Sequence, residues 1–154
     1  MRYNVIKTPR LDAAVKRIFK QLDALGGDLM KLPAVVRPVV ILYEFHGMIG
    51  NGGFRYPLEG DWPNHPPYSI FSDAYRAVGA FRAADLWDDT VRRFPFSNPE
   101  RDSHARLEYM ASLDEDDCFF RNGDWVSGED YYPILLMMEQ YVDRYPEAFG
   151  EMIH

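Results

Sequence analysis

The sequence predicts an all-α protein: a single-domain, multi-helix bundle with a Gly/Pro/aromatic-rich loop after the second helix. Three observations lead there. Apolar residues recur at helical spacing in one segment after another, proline and glycine punctuate the ends of those segments, and alternating polar–apolar strands are missing. The 154 residues suit one domain, and a composition of 47% hydrophobic and 15% aromatic residues is enough to bury a sizeable core. No internal repeat, low-complexity tract or linker divides residues 1–154.

The first helix spans about residues 9–25. Thr8 stands at the cap, Pro9 suits the first helical position, and Gly26-Gly27 ends the run. Leu11, Ala14, Val15, Ile18, Leu22 and Leu25 form its apolar stripe, with Lys16, Arg17 and Lys20 mostly off it. A second helix starts at Pro33 or Pro38 and carries "VVILYEFHGMI", apolar nearly all round and therefore central; Val39, Val40 and Ile41 also suit a strand. The glycines from Gly47 onward are expected to end it and open the loop of residues 47–68. Ser69 or Ser72 starts a third helix that Gly79 ends, and "FRAADLWDDTVRRF" forms a fourth, closed by Pro95. Asn98-Pro99-Glu100 has the chemistry of a helix start and leads into a fifth, "ERDSHARLEYMASL". "DEDDCFF" is expected as an acidic turn and "RNGDWVSGED" as a loop. "YYPILLMMEQYVDRY" is the last long helix, and "EAFGEMI" a final turn.

Charge is distributed unevenly. Residues 1–80 carry 10 Lys and Arg against 7 Asp and Glu, whereas residues 81–154 carry 7 against 17. The balance is thus +3 and then −10, together the −7 of the whole chain. A second half of this sign repels phosphates and attracts basic partners, so direct nucleic-acid binding is not expected there. The N-terminal "MRYNVIKTPRLDAAVKR" has no continuous apolar segment and is not expected to be a secretory signal. "PILLMM" is too short to span a bilayer. Cys118 is the only cysteine, which excludes an internal disulfide and agrees with a reducing cytoplasm. Set among Asp114–Asp117, it reads as a small packing residue rather than a nucleophile.

The sequence offers little catalytic chemistry. "GNGG" lacks the lysine and Ser/Thr of a phosphate-cradling loop, no serine sits in a GxSxG elbow, and no HxxxH or HExxH pattern is present. No metal or other cofactor is therefore expected. His104 and Glu108, one turn apart, read as a local surface contact. Phe54-Arg55-Tyr56 and the tryptophans Trp62, Trp87 and Trp125 read first as packing. His46, beside Glu44 on the apolar helix, is expected as a hydrogen-bonded core histidine. Its alternative is a general base which, with Glu44 and His65, would make the 47–68 loop the site of a small-molecule hydrolase.

The acidic groups stand out more. Asp85, Asp88 and Asp89 fall at i, i+3 and i+4, so three carboxylates share one side of a helix about 5–6 Å apart. Glu139 and Asp143 repeat the i, i+4 spacing, and Asp114, Glu115, Asp116 and Asp117 follow one another directly. A solvated face is the plain explanation; a surface for a basic protein is the functional one.

An apolar helix followed by Asn51-Gly52-Gly53-Phe54, the Val78-Gly79-Ala80 junction, the acidic "LDEDDCFF", and Tyr141 followed by Phe149 resemble the bacterial DNA-mimic-protein C-terminal domain family over roughly residues 35–153. The resemblance implies an all-α, non-enzymatic protein, commonly dimeric, whose carboxylates stand in for DNA phosphates against a transcriptional regulator. Asn51, Gly52, Gly53 and Phe54 carry it as fold determinants; the acid positions are not part of the shared pattern. After Phe54 the chain departs from the family with Arg55-Tyr56-Pro57. The expected function is thus an acidic, cytoplasmic protein-binding domain, with the hydrolase or an immunity or antitoxin protein as alternatives.

Overall fold

Helix α1 (Pro9–Ala24) buries Leu11, Ala14, Val15 and Ile18, the stripe its spacing predicts. It ends in a Schellman turn: Gly26 takes φ +74°, and the amides of Gly26 and Gly27 donate to Asp23 and Leu22. The computed structural model describes residues 7–149. The N-terminal basic stretch before Lys7 and the last residues of "EAFGEMI" lie outside them.

Helix α2 (Arg37–Gly52) is the axis of the bundle and packs on α1, on α3 (Arg55–Glu59), α4 (Ser69–Ala77), α7 (Cys118–Ser127) and α8 (Tyr131–Arg144). Its largely apolar surface follows from having five helices around it, with Tyr43 and Glu44 left on the open side. Val39, Val40 and Ile41 are helical, and among the described residues no strand is present. Gly47 does not end the helix, contrary to expectation: the chain stays helical to Gly52 and turns at Gly53, φ +63°. Helical glycine costs about 1 kcal/mol relative to alanine, and at Gly50 the packing gives a reason for it. A Cβ there would lie 2.6 Å from the Tyr131 ring.

The 47–68 loop is correspondingly shorter than read, with α2 and α3 taking its first half and irregular chain running from Gly60 to Tyr68. Gly79, φ +91°, makes a second Schellman turn between α4 and α5 (Phe81–Arg92), with the amides of Gly79 and Ala80 donating to Arg76 and Tyr75. Asn98 does not start the next helix. A single 3-10 turn (Pro99–Arg101) intervenes, and α6 (Ser103–Ala111) is capped by Asp102, whose Oδ1 accepts from the Ala105 amide at 2.9 Å.

"RNGDWVSGED" is helix as far as Ser127, and only its last three residues form a turn. Asp117 caps α7 through the Phe119 amide at 2.9 Å, and Phe119, Gly123 and Val126 face the core. Its glycine read as a turn signal because the reason for it lies elsewhere in the chain. At Gly123 an added Cβ would collide with the Phe54 backbone nitrogen and approach the Gly53 carbonyl carbon to 3.2 Å. Two backbones meet there, and Gly123 has no room for a side chain. Helix α8 and the short α9 (Pro146–Phe149) close the bundle, where the Tyr141 hydroxyl donates to the Val35 carbonyl at 2.6 Å.

The core is aromatic at its centre. Phe45 stacks on Phe71 at 4.1 Å and meets Trp87 edge-on at 4.8 Å; Trp87 in turn touches Phe54 and Tyr68 and donates its indole N–H to the Tyr68 carbonyl at 2.9 Å. Trp62 is half-buried against Phe45 and Phe71. Two residues read as packing are exposed instead: Trp125, and Cys118 at the first turn of α7. Phe54 is buried, while Tyr56 is half exposed and Arg55 lies over the Phe120 ring.

Candidate functional site

Spacing on α5 does what the sequence predicts, and tertiary packing adds what it does not show. Asp85, Asp88 and Asp89 project along one side of the helix, but each meets a cation. Arg76, from the last turn of α4, donates to Asp88 at 2.6 Å and to Asp85 at 3.0 Å. Arg93 donates to Asp89 at 3.0 Å, and the Asn122 side chain of α7 adds a bond at 2.8 Å. These hydrogen bonds from Arg93 and then Asn122 hold the Asp89 carboxyl below its ordinary pKa, and the bonds to Asp88 and Asp85 hold Arg76 more firmly charged. Together Arg76, Arg82, Asp85, Asp88, Asp89 and Arg92 line an open groove of about 650 Å³.

One end of this ridge lies near the start of α7, with Arg93 between them. Arg93 also lies within the field of Asp117 and Cys118, so the C-terminal end of α5 and the start of α7 are neighbours. Asp117 is occupied as the α7 cap, whereas Asp114, Glu115 and Asp116 are exposed. The structure therefore links Asp89, through Arg93, to Asp117, while Asp85 and Asp88 are held by Arg76 of α4.

Glu139 and Asp143 do not belong to that surface, and this corrects the sequence reading. Glu139 is 6% exposed; its Oε2 accepts from the Leu11 amide at 3.2 Å and its Oε1 lies 3.2 Å from Arg10. Asp143 takes both Arg10 donors at 2.8 Å. Thr8 stands at the cap position of α1 but makes no capping bond. The carboxylate that satisfies the α1 N-terminus comes from α8, where it also meets the positive end of the helix dipole.

His46 is fully buried with both ring nitrogens satisfied. The Tyr131 carbonyl 2.9 Å from Nε2 can only accept, so Nε2 carries the proton and Nδ1 accepts from the Tyr75 hydroxyl at 3.0 Å. Burial lowers its pKa to about 4, only partly opposed by the Tyr131 bond, and burial holds the Tyr75 phenol well above its ordinary value. The imidazole stays neutral as a linker between α2, α4 and α8, and has no access to a substrate. His65 is exposed and donates Nδ1–H to the Glu100 carbonyl at 3.2 Å; Glu44 lies exposed on α2. The three groups of the hydrolase alternative thus form no site. His104 and Glu108 are exposed and 3.7 Å apart, the expected surface contact. Among the described residues no three His, Cys, Asp or Glu side chains converge as metal ligands, and no helix is long and apolar enough to cross a membrane.

The residue that organises the corner is one the sequence reading passed over. Arg106 is fully buried, and its guanidinium donates to the carbonyls of Leu58, Pro99 and Gly60 at 3.0, 2.6 and 3.0 Å and to Asp61 at 2.8 Å. It gathers the end of α3, the proline-rich chain and the 3-10 turn around one planar fork. The available signal was its place on the α6 stripe with Tyr109, Met110 and Leu113, where a charge is out of keeping with its neighbours. Of the four motif residues, Gly53 and Phe54 seat α2 against α7, while Asn51 and Gly52 are exposed at the end of α2.

Residues 30–145 match the DMP19-like protein family. The chain belongs to that family. The match begins and ends earlier than the resemblance visible in the sequence and covers the bundle from a 3-10 turn before α2 (Leu29–Lys31) through α8. No curated protein and no solved structure matches the chain.

Proposed function

We propose that this protein is a non-enzymatic acidic binding domain that occupies the DNA-binding surface of a basic regulator, with α5 and the turn of residues 114–117 standing in for duplex phosphates. Membership of the DMP19-like family supports the class of function. The observation that carries the reading is the row Asp85–Asp88–Asp89 on one side of α5, linked at Asp89 through Arg93 to Asp117 of the acidic turn, in a chain of net charge −7. Duplex phosphates repeat about every 3.4 Å along a strand, and helix-borne acids one turn apart offer a coarser row of the same sign. The arginines do not preclude this role. Ion pairs this exposed contribute little to stability and exchange readily, so a partner's lysines and arginines can displace Arg76 from Asp85 and Asp88. Base edges have no counterpart here, so selectivity comes from shape and from contacts at the rim.

The test is capture of basic DNA-binding proteins from the source cell at low and high salt, with each captured regulator then competed against its own operator DNA. The triple reversal Asp85→Lys, Asp88→Lys, Asp89→Lys is expected to abolish capture, and raising ionic strength to weaken it steeply. Capture that ignores salt and survives the reversal sinks the reading.

A further inference from the structure

Helices α5 and α7 pack directly on each other, and Phe94, just past the end of α5, meets Phe119 of α7 edge-on at 5.2 Å. Between those two rings the chain leaves the bundle and returns to it. Over that excursion it buries only Pro99, Arg106 and Met110. Helix α6 packs chiefly on α3 and on its own 3-10 turn rather than among the long helices. Because the two roots of the excursion already touch, lifting it does not open the bundle beneath.

Much of what fastens it is polar. Arg106 reaches to the carbonyls of Leu58 and Gly60 and to Asp61, while its remaining bond, to the Pro99 carbonyl, stays within the excursion. His65 donates to the Glu100 carbonyl at 3.2 Å. Apolar contact comes chiefly from Met110, Leu113 and Tyr109, the last 5.5 Å from the Phe94 ring and 5.8 Å from that of Phe119. The two kinds of fastening respond differently to water. A buried leucine or phenylalanine gains nothing on exposure, whereas a guanidinium recovers the hydration that burial took from it. Arg106 is therefore held by geometry more than by aversion to water. Its pairing is also all-or-none. With α6 seated, an acceptor left without its donor costs its full desolvation, so Arg106 either keeps its acceptors or leaves with the helix.

We propose that residues 95–116 form a strap that lifts off the bundle as one unit, with Arg106 as its latch, while the remaining helices stay folded. Segments with few buried apolar contacts open at free energies below that of global unfolding. The strap runs into the acidic turn, so lifting it displaces Asp114, Glu115 and Asp116 and leaves Asp117 on the α7 cap. Such opening belongs to the chain itself and needs no partner.

Native-state hydrogen exchange of the full chain, with urea raised in steps below the unfolding transition, reads the opening directly. The α6 amides are expected to exchange at least about a hundred-fold faster than those of α2 and to share one urea dependence, weaker than that of global unfolding. Asp61→Ala removes the one carboxylate from the latch and should speed α6 about ten-fold. Ile18→Val, in the buried stripe of α1, should speed α2 about five-fold and leave α6 unchanged, because that packing persists when the strap is lifted. If α6 instead exchanges at the α2 rate and follows Ile18→Val, the strap opens only with the whole protein and the proposal falls. It falls equally if the α6 amides differ one from the next and ignore urea, which is fraying rather than the motion of a unit.

Discussion

The corner around Arg106 and the groove around Arg76 each hold a guanidinium beside carboxylate, in surroundings that could hardly differ more. Arg106 has no exposed surface and is bonded to three carbonyls and Asp61, all within a fixed frame. Arg76 is partly open to solvent and clasps two aspartates that are themselves accessible. Burial makes the first pairing obligatory, because an unpaired carbonyl in the interior costs its full desolvation. Solvent makes the second replaceable. A fixed internal anchor and an exchangeable surface pair are thus divided between two arginines by dielectric environment rather than by residue type.

The largest effect should come from breaking the buried member. Arg106→Met is expected to lose about 3–5 kcal/mol, since it leaves the carbonyls of Leu58, Gly60 and Pro99 without their donor. Arg106→Lys should recover little, because an ammonium cannot reproduce the planar fork. Urea unfolding midpoints give both values, and a midpoint within error of the parent protein would remove Arg106 from its organising place.

His46 extends the comparison to pH. Its folded pKa, about 4, lies below the ordinary 6.5, so the unfolded chain takes up the proton first. The stability is fully present above pH 6.5 and is lost as pH falls toward 4, by about 3 kcal/mol. Unfolding at pH 7 and pH 4.5 should show most of that loss, and His46→Gln should be less stable at pH 7 and less sensitive to acid. A His46 ring signal that titrates near pH 6.5 would contradict the buried, neutral assignment.

Gly123→Ala sharpens the same distinction at the backbone. It should cost about 1–3 kcal/mol through overpacking against Gly53 and Phe54, where backbone leaves no flexible side chain to give way. Gly60→Ala, in open space, is the control expected to show almost none of that cost. Smallest in stability and opposite in binding is Arg76→Ala. Its unfolding midpoint should stay close to the parent's, while affinity for a basic partner rises and its salt dependence steepens, because Asp85 and Asp88 are released.

The helical spacing of α1, α4, α5 and α8 was readable because each buries one stripe against the bundle, and Gly26 and Gly79 stop their helices by local geometry. What the sequence concealed depends on distant partners. Gly47 and Gly50 resemble a helix stop until Tyr131 is seen against Gly50, and Gly123 resembles a loop until the α2 turn is seen against it. Of the acidic residues, the i, i+3, i+4 set on α5 was legible as a shared face. That Glu139 caps α1 was not, because the amide it serves lies 128 residues away.

The contact of Gly53 and Phe54 with Gly123 has one more consequence. Because the two backbones touch with no side chain between them, α7 cannot slide or tilt on α2 without a collision, and α5 in turn rests on α7. The seat of α7 on α2 is therefore set at the backbone, whereas α5 is tied to α7 through a side chain, Asn122, bonded to Asp89 and Thr90. The first joint is stiff, and the second is the one that can give.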